Sequence, residues 1–172
     1  MRVSSALGAK EPEAQRFVLV VDDEDDIRCA IEEILQNEGF ATVGARNGSE
    51  ALERLRSSPG LPRLILLDLM MPEMDGWEFL SRIDEDRRLH RIPVALMSAH
   101  DSVRRALDKH RDEERPMRLL FPKPLNLLRL ISTVRYFCSD DPIVLEHGWE
   151  AVGDESFSLR EAPTARFQPL RS

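Results

Sequence analysis

The stretch LILLDLMMPEMDGWEFL, residues 64 to 80, decides how the chain is read. Leu64, Ile65, Leu66 and Leu67 form a short continuous apolar run, the pattern of a strand buried on both faces. The run stops on a carboxylate, Asp68, and passes into the turn-rich MMPEMDG. WEFLSRI then has the spacing of an amphipathic helix. Open α/β sheets bind their ligands outside the carboxyl ends of their strands. An acid in that place, ending so apolar a strand, points to a chemical task.

Upstream, FVLVV (17 to 21) is a second buried strand, and it too ends on acids, Asp22, Asp23, Glu24, Asp25 and Asp26. A helix follows with Ile27, Ala30, Ile31, Ile34 and Leu35 on its inner face, acids in its first turn, and Gly39 as its stop. FATVGA (40 to 45) is the next strand. Asn47-Gly48-Ser49 leads into a helix with Ala51, Leu52 and Leu55 inward, and residues 57 to 62 turn back to the opening strand.

Downstream, the helix runs from Trp77 to about Asp84. RIPVALMSA (91 to 99) is a fourth buried strand with Ser98 as its terminal polar residue. A helix from Ser102 places Val103, Ala106, Leu107 and His110 on one face, until HRDEERP breaks it. MRLLF (117 to 121) is a fifth strand, ending in Pro122-Lys123-Pro124. The last helix carries a stripe of Leu127, Leu130, Ile131, Val134, Phe137 and Cys138. Five strand–helix alternations imply an α/β fold: a doubly wound parallel sheet with right-handed crossovers and helices on both faces.

The 172 residues make one domain of ordinary size with tails. Residues 1 to 16 are polar and aperiodic, a flexible arm, and residues 139 to 172 lack a sustained period and read as a poorly ordered tail. A net charge of −7 and no basic stripe argue against direct nucleic-acid binding. No signal-peptide pattern and no spanning run are visible, so neither export nor membrane insertion is expected. Cys29 and Cys138 lack metal-type spacing and read as small buried residues in a reduced cytoplasm. His100 and His110 likewise lack ligand partners. Met70, Met71 and Met74 read as gap-fillers.

A parallel sheet pools its strand ends on one side. In a flavodoxin-like order 2-1-3-4-5, the first and third strands are neighbours, which brings Asp22, Asp23 and Asp68 within a few ångströms. Two like charges about 4 Å apart cost roughly 4 kcal/mol at an effective dielectric of 20. A small oxygen site of this kind suits Mg²⁺, with a backbone carbonyl just after Asp68 to complete the shell. Asp68 then has the means to attack phosphorus as an oxygen nucleophile. Lys123 and Ser98 supply a point charge and a hydroxyl for the phosphoryl oxygens. Singly each has a plainer role: Asp22 or Asp23 as a helix cap, Ser98 as a strand end, Lys123 as a solvated charge. Four strand ends in agreement outweigh those alternatives.

VLVVDDED (18 to 25), LLDLMMPEMDG (66 to 76), VALMSA (94 to 99) and FPKP (121 to 124) together resemble the receiver domain of two-component response regulators, over residues 17 to 138. The resemblance implies that Asp68 is the phosphoacceptor for a phosphohistidine on a sensor histidine kinase or histidine phosphotransfer protein. It makes Asp22 and Asp23 the acidic pair at an Mg²⁺ (or Mn²⁺) site, to which Met70 lends its backbone carbonyl. Ser98 matches the switch hydroxyl, Lys123 the family's lysine, Ala99 the small residue beside the phosphoryl group, and Pro124 the proline after a cis bond. Three places depart from the pattern. Leu120 stands where an aromatic usually swings inward, HRDEERPMR replaces the usual turn before the fifth strand, and Met70 and His100 occupy positions that tune phosphate lifetime.

The expectation is a stand-alone receiver, with no room after Phe137 for a DNA-binding or catalytic output domain. It would phosphorylate and dephosphorylate only its own aspartate and act through a downstream protein or onward phosphotransfer, with a phosphorylation-dependent homodimer left open. A phosphorylation-independent docking module is the alternative. A haloacid-dehalogenase-type phosphatase is disfavoured, since Met70 stands where a second acid is needed.

Overall fold

The computed structural model describes residues 16–99 and 118–138. Five parallel strands stand in the order β2-β1-β3-β4-β5: β1 Phe17–Val21, β2 Ala41–Ala45, β3 Leu64–Asp68, β4 Val94–Ser98 and β5 Arg118–Pro122. The helices are α1 Asp25–Asn37, α2 Gly48–Ser57, α3 Gly76–Glu85 and α4 Leu127–Cys138. The expected helix from Ser102, with Val103, Ala106, Leu107 and His110, falls outside the described residues. So do His100, Met117, the arm apart from Arg16, and the tail.

Alternation along each strand divides the core in two. Leu19, Val21, Ile65, Leu67, Val94 and Leu96 face the layer of α2 and α3. Val18, Val20, Leu64, Leu66, Ala95 and Met97 face α1 and α4, meeting Ile31, Leu35, Leu130 and Val134. Every residue of β3 and β4 is buried, which is why these strands read as unbroken apolar runs.

Two strand starts differ from the sequence expectation. Phe40 stays outside β2 because its N–H closes α1, donating to the Leu35 carbonyl at 2.9 Å while Gly39 N–H donates to Gln36. With Gly39 at φ 89°, this is a Schellman stop. Strand β4 begins at Val94, not at Arg91. Pro93 has no N–H to give the ladder, and Leu89, His90 and Ile92 are already bonded in turns after α3.

Several inward assignments also change. Ala30 is exposed, so α1 buries Ile31 and Leu35 with Ile27 and Ile34 at the margin. Leu127 is 46% exposed and leaves the α4 stripe, which Thr133 joins. Cys29 is exposed rather than buried, and Cys138 is half-buried, with burial pushing its thiol up to about 11. Met70 does not fill a gap, being 68% exposed, whereas Met71 is buried and Met74 packs against the α2–α3 layer. No described helix is long and apolar enough to cross a membrane.

Candidate phosphoacceptor and metal site

Register places the acids. Val21 pairs with Leu67, so the next residues, Asp22 and Asp68, leave adjacent central strands at the same level. The Asp22 N–H extends the ladder to the Ala45 carbonyl at 3.1 Å. One carboxylate oxygen from each of Asp22, Asp23 and Asp68 lies within 4.8 Å of the others. Asp22 and Asp68 are buried and Asp23 is exposed, leaving the cluster open on one side.

Lys123 reaches in from the end of β5. Its Nζ donates to Asp68 Oδ2 at 2.8 Å and to Asp22 Oδ2 at 3.2 Å. Its own N–H donates to the Ser98 carbonyl at 2.8 Å, tying the end of β5 to the end of β4, and the Lys123–Pro124 bond is cis, as the resemblance implied. Ser98 is buried at the end of β4, in register with Pro122, while Ala99 is exposed. Of the sequence candidates, Asp22, Asp23, Asp68 and Lys123 therefore meet directly, and Ser98 lies one backbone bond from Lys123.

The plainer role for Asp22 is not the one it plays. The residue at the cap position of α1 is Glu24, with no side-chain cap, and Asp22 Oδ1 accepts the Glu24 N–H at 3.0 Å in a tight local turn. Burial pushes the Asp22 carboxyl above the usual carboxylate range, and the neighbouring Asp68 adds to this. The Glu24 N–H and the Lys123 ammonium only partly offset the rise. Burial pulls the Lys123 ammonium down, but its bond to Asp68 and the charges of both carboxylates prevail, and its pKa is raised. Asp22 and Asp68 thus share one ammonium, with a third carboxylate, Asp23, beside them. An all-oxygen donor set of this size, short of positive charge, fits a hard divalent cation.

The loop after Asp68 is fastened at both ends. Met70 N–H donates to Asp68 Oδ1 at 3.2 Å, and Gly76 N–H donates to the Leu69 carbonyl at 3.1 Å. A Cβ at Gly76 would lie 2.7 Å from the Asp68 carbonyl oxygen and 2.7 Å from Leu69 Cα. Only glycine allows the start of α3 so close to the strand end.

Sequence reasoning passed over two contributors. Arg28 donates to the Asp22 carbonyl at 2.7 Å and also pairs with Asp25, so it braces the acidic turn from α1. Its spacing from Asp25 was readable, but its reach to a backbone oxygen was not. Asn47 caps α2 through Glu50 N–H at 2.8 Å and donates to Glu73 at 2.9 Å. The cap was foreshadowed by Asn47-Gly48-Ser49; the long-range bond had no local signal.

The model of the response regulator receiver domain matches residues 18–135. The chain belongs to this family. Receiver domains of response regulators serve two-component signal transduction, and that is the setting in which the site is to be understood. The chain is 37% identical over 118 residues to the two-component response regulator ORR5 of Oryza sativa subsp. japonica, covering 68% of this chain and 87% of that protein. It is 33% identical over 129 residues to an uncharacterised 14.6 kDa protein of Leptolyngbya boryana, covering 73% of this chain and 92% of that one. Among solved structures, a response regulator receiver protein from Pseudomonas putida aligns with a TM-score of 0.61 at 26% identity, over 70% of this chain and 96% of that one. The strand order expected for a flavodoxin-like receiver is the order found.

Proposed function

We propose that this receiver accepts a phosphoryl group on Asp68 from a phosphohistidine of a sensor histidine kinase or histidine phosphotransfer protein. The observation that carries the proposal is the Lys123 ammonium 2.8 Å from the Asp68 carboxylate, beside the acids Asp22 and Asp23. A carboxylate oxygen of Asp68 attacks phosphorus, the P–N bond breaks, its electron pair returns to the imidazole, and an acyl phosphate forms. Lys123 keeps its proton and turns from the carboxylates toward a phosphoryl oxygen, where the Ser98 hydroxyl also donates. A divalent cation, Mg²⁺ or Mn²⁺, held by Asp22, Asp23, Asp68 and the Met70 carbonyl, supplies charge neutralisation for the transferring group.

The receiver unit in this reading is residues 17 to 138, flanked by the arm and the tail. It works in the cytoplasm and passes its signal to another protein, by contact or by onward phosphotransfer. Asp68 reacts only with its own donor and its own acyl phosphate. Movement of Ser98 toward the new charge re-presents the adjoining surface. Leu120, half-buried against the α2–α3 layer, takes the place of the usual aromatic, so output does not depend on an aromatic side chain there.

Incubation with acetyl phosphate and Mg²⁺, followed by intact mass, tests the reading. The expected result is one added phosphoryl group on the wild-type chain and none on Asp68→Asn or with chelator present. Equal labelling of Asp68→Asn, or none of the wild type with either acetyl phosphate or a kinase, overturns it and leaves the docking module.

A further inference from the structure

The β2–α2 turn grips the loop that follows the phosphoacceptor. Asn47, buried at 5% exposure, spends each end of its amide on a different element. Its Oδ1 accepts Glu50 N–H at 2.8 Å and caps α2. That bond fixes the orientation of the amide, so the nitrogen must point the other way. Nδ2 donates to Glu73 Oε2 at 2.9 Å, across 26 residues of chain. Next to it, Gly48 N–H donates to the Met74 carbonyl at 3.1 Å. Glu73 is the one non-glycine residue with positive φ among the described residues, at 65°. Such a conformation persists where surrounding contacts hold it. Asp, Ser or Thr would cap α2 as well as Asn does. Asp has no donor to add, and a Ser or Thr hydroxyl must cap and donate from one atom; Asn caps with its oxygen and holds Glu73 with a separate nitrogen.

We infer that Asn47 is a positioning residue for the phosphoacceptor loop: through Glu73 it sets the path of residues 69 to 75, and so the placement of Met70 beside Asp68. The inference rests on the proposed phosphorylation at Asp68. It assigns to the β2–α2 turn a share in metal affinity and phosphoryl uptake without contact with either ligand. Groups hydrogen-bonded directly to a metal ligand are typically worth about ten- to a hundredfold in metal affinity, and Asn47, acting one step further out, falls at the low end of that range.

The variant Asn47→Asp keeps the cap and sets a carboxylate against Glu73. On charge alone, an added acid near the cluster would strengthen cation binding; loss of the grip would weaken it. Calorimetric titration of the full chain with Mg²⁺ therefore separates the two by sign. The expected result is affinity lower by about tenfold, slower labelling by acetyl phosphate, and a Tm within a few degrees of wild type. In the double variant Asn47→Asp with Glu73→Gln, the Gln amide donates to the Asp carboxylate, the bond is restored in reverse and the net charge is that of wild type. Both readouts should return to within about twofold of wild type. Unchanged or tighter Mg²⁺ binding by Asn47→Asp, or a double variant no better than the single, overturns the inference while wild-type labelling upholds phosphorylation at Asp68. A wild-type chain that takes no phosphoryl group overturns both.

Discussion

Strands β3 and β5 each deliver a residue to the site, under opposite conditions. Strand β3 stands at the centre of the sheet with all five residues buried, and Asp68 leaves it between β1 and β4. Strand β5 is one of the two edges; Phe121 is buried, Arg118, Leu119 and Leu120 are half-buried and Pro122 is exposed. Asp68 is thus held by packing, while Lys123 is held by its partners: Asp22, Asp68 and the Ser98 carbonyl. Edge placement suits the change of partners that the proposed transfer asks of Lys123, since less of the core moves with it. The edge is also braced by polar and ring contacts, with Arg118 paired to Asp84 of α3 and the Arg129 guanidinium 4.9 Å from the Phe121 ring centroid.

Truncation tests the packing difference most strongly. Leu66→Ala, deep in β3, should cost about 2–5 kcal/mol, and Leu120→Ala on β5 clearly less, as read by urea denaturation. Equal losses would show that the edge is as tightly built as the centre. Next in size is the chemistry: Lys123→Ala should slow acetyl phosphate labelling by about a hundredfold, as followed by intact mass. A rate within a few-fold of wild type would remove Lys123 from the transfer step.

The smallest expected effect is electrostatic. Burial raises the Asp22 carboxyl above its ordinary value, so the folded state holds that proton more tightly than the unfolded chain does. The associated stability is present below the ordinary carboxylate pKa and is lost as pH rises through the raised value. Asn cannot ionise, and its oxygen can still accept the Glu24 N–H. Asp22→Asn should therefore melt a few degrees above wild type at neutral pH without Mg²⁺, and the gap should close in acid. A lower Tm for the variant at pH 7 would mean that the ion pair with Lys123 outweighs the cost of burial.

Much of this was legible before the fold was known. The runs at 17 to 21 and 64 to 67 announce buried strands, each ends on an acid, and β–α alternation brings those ends to one side. The errors cluster where periodicity is a poor guide. Ala30 and Leu127 fit a helical stripe but lie at its edge, and Phe40 is apolar yet belongs to a helix stop. Cys29 follows composition inward while geometry leaves it out.

Local pattern suffices for a parallel sheet of β–α units and for the polar residues at its strand ends. The order 2-1-3-4-5 comes from the flavodoxin-like type, since β–α alternation fits more than one doubly wound order. Only the tertiary structure decides that Lys123 bridges Asp68 and Asp22, that Arg28 braces the acidic turn, and that Asn47 holds Glu73. Those bonds join residues as far as 101 positions apart. Nothing in a local period encodes such a pairing, since it depends on where packing sets each strand end in space.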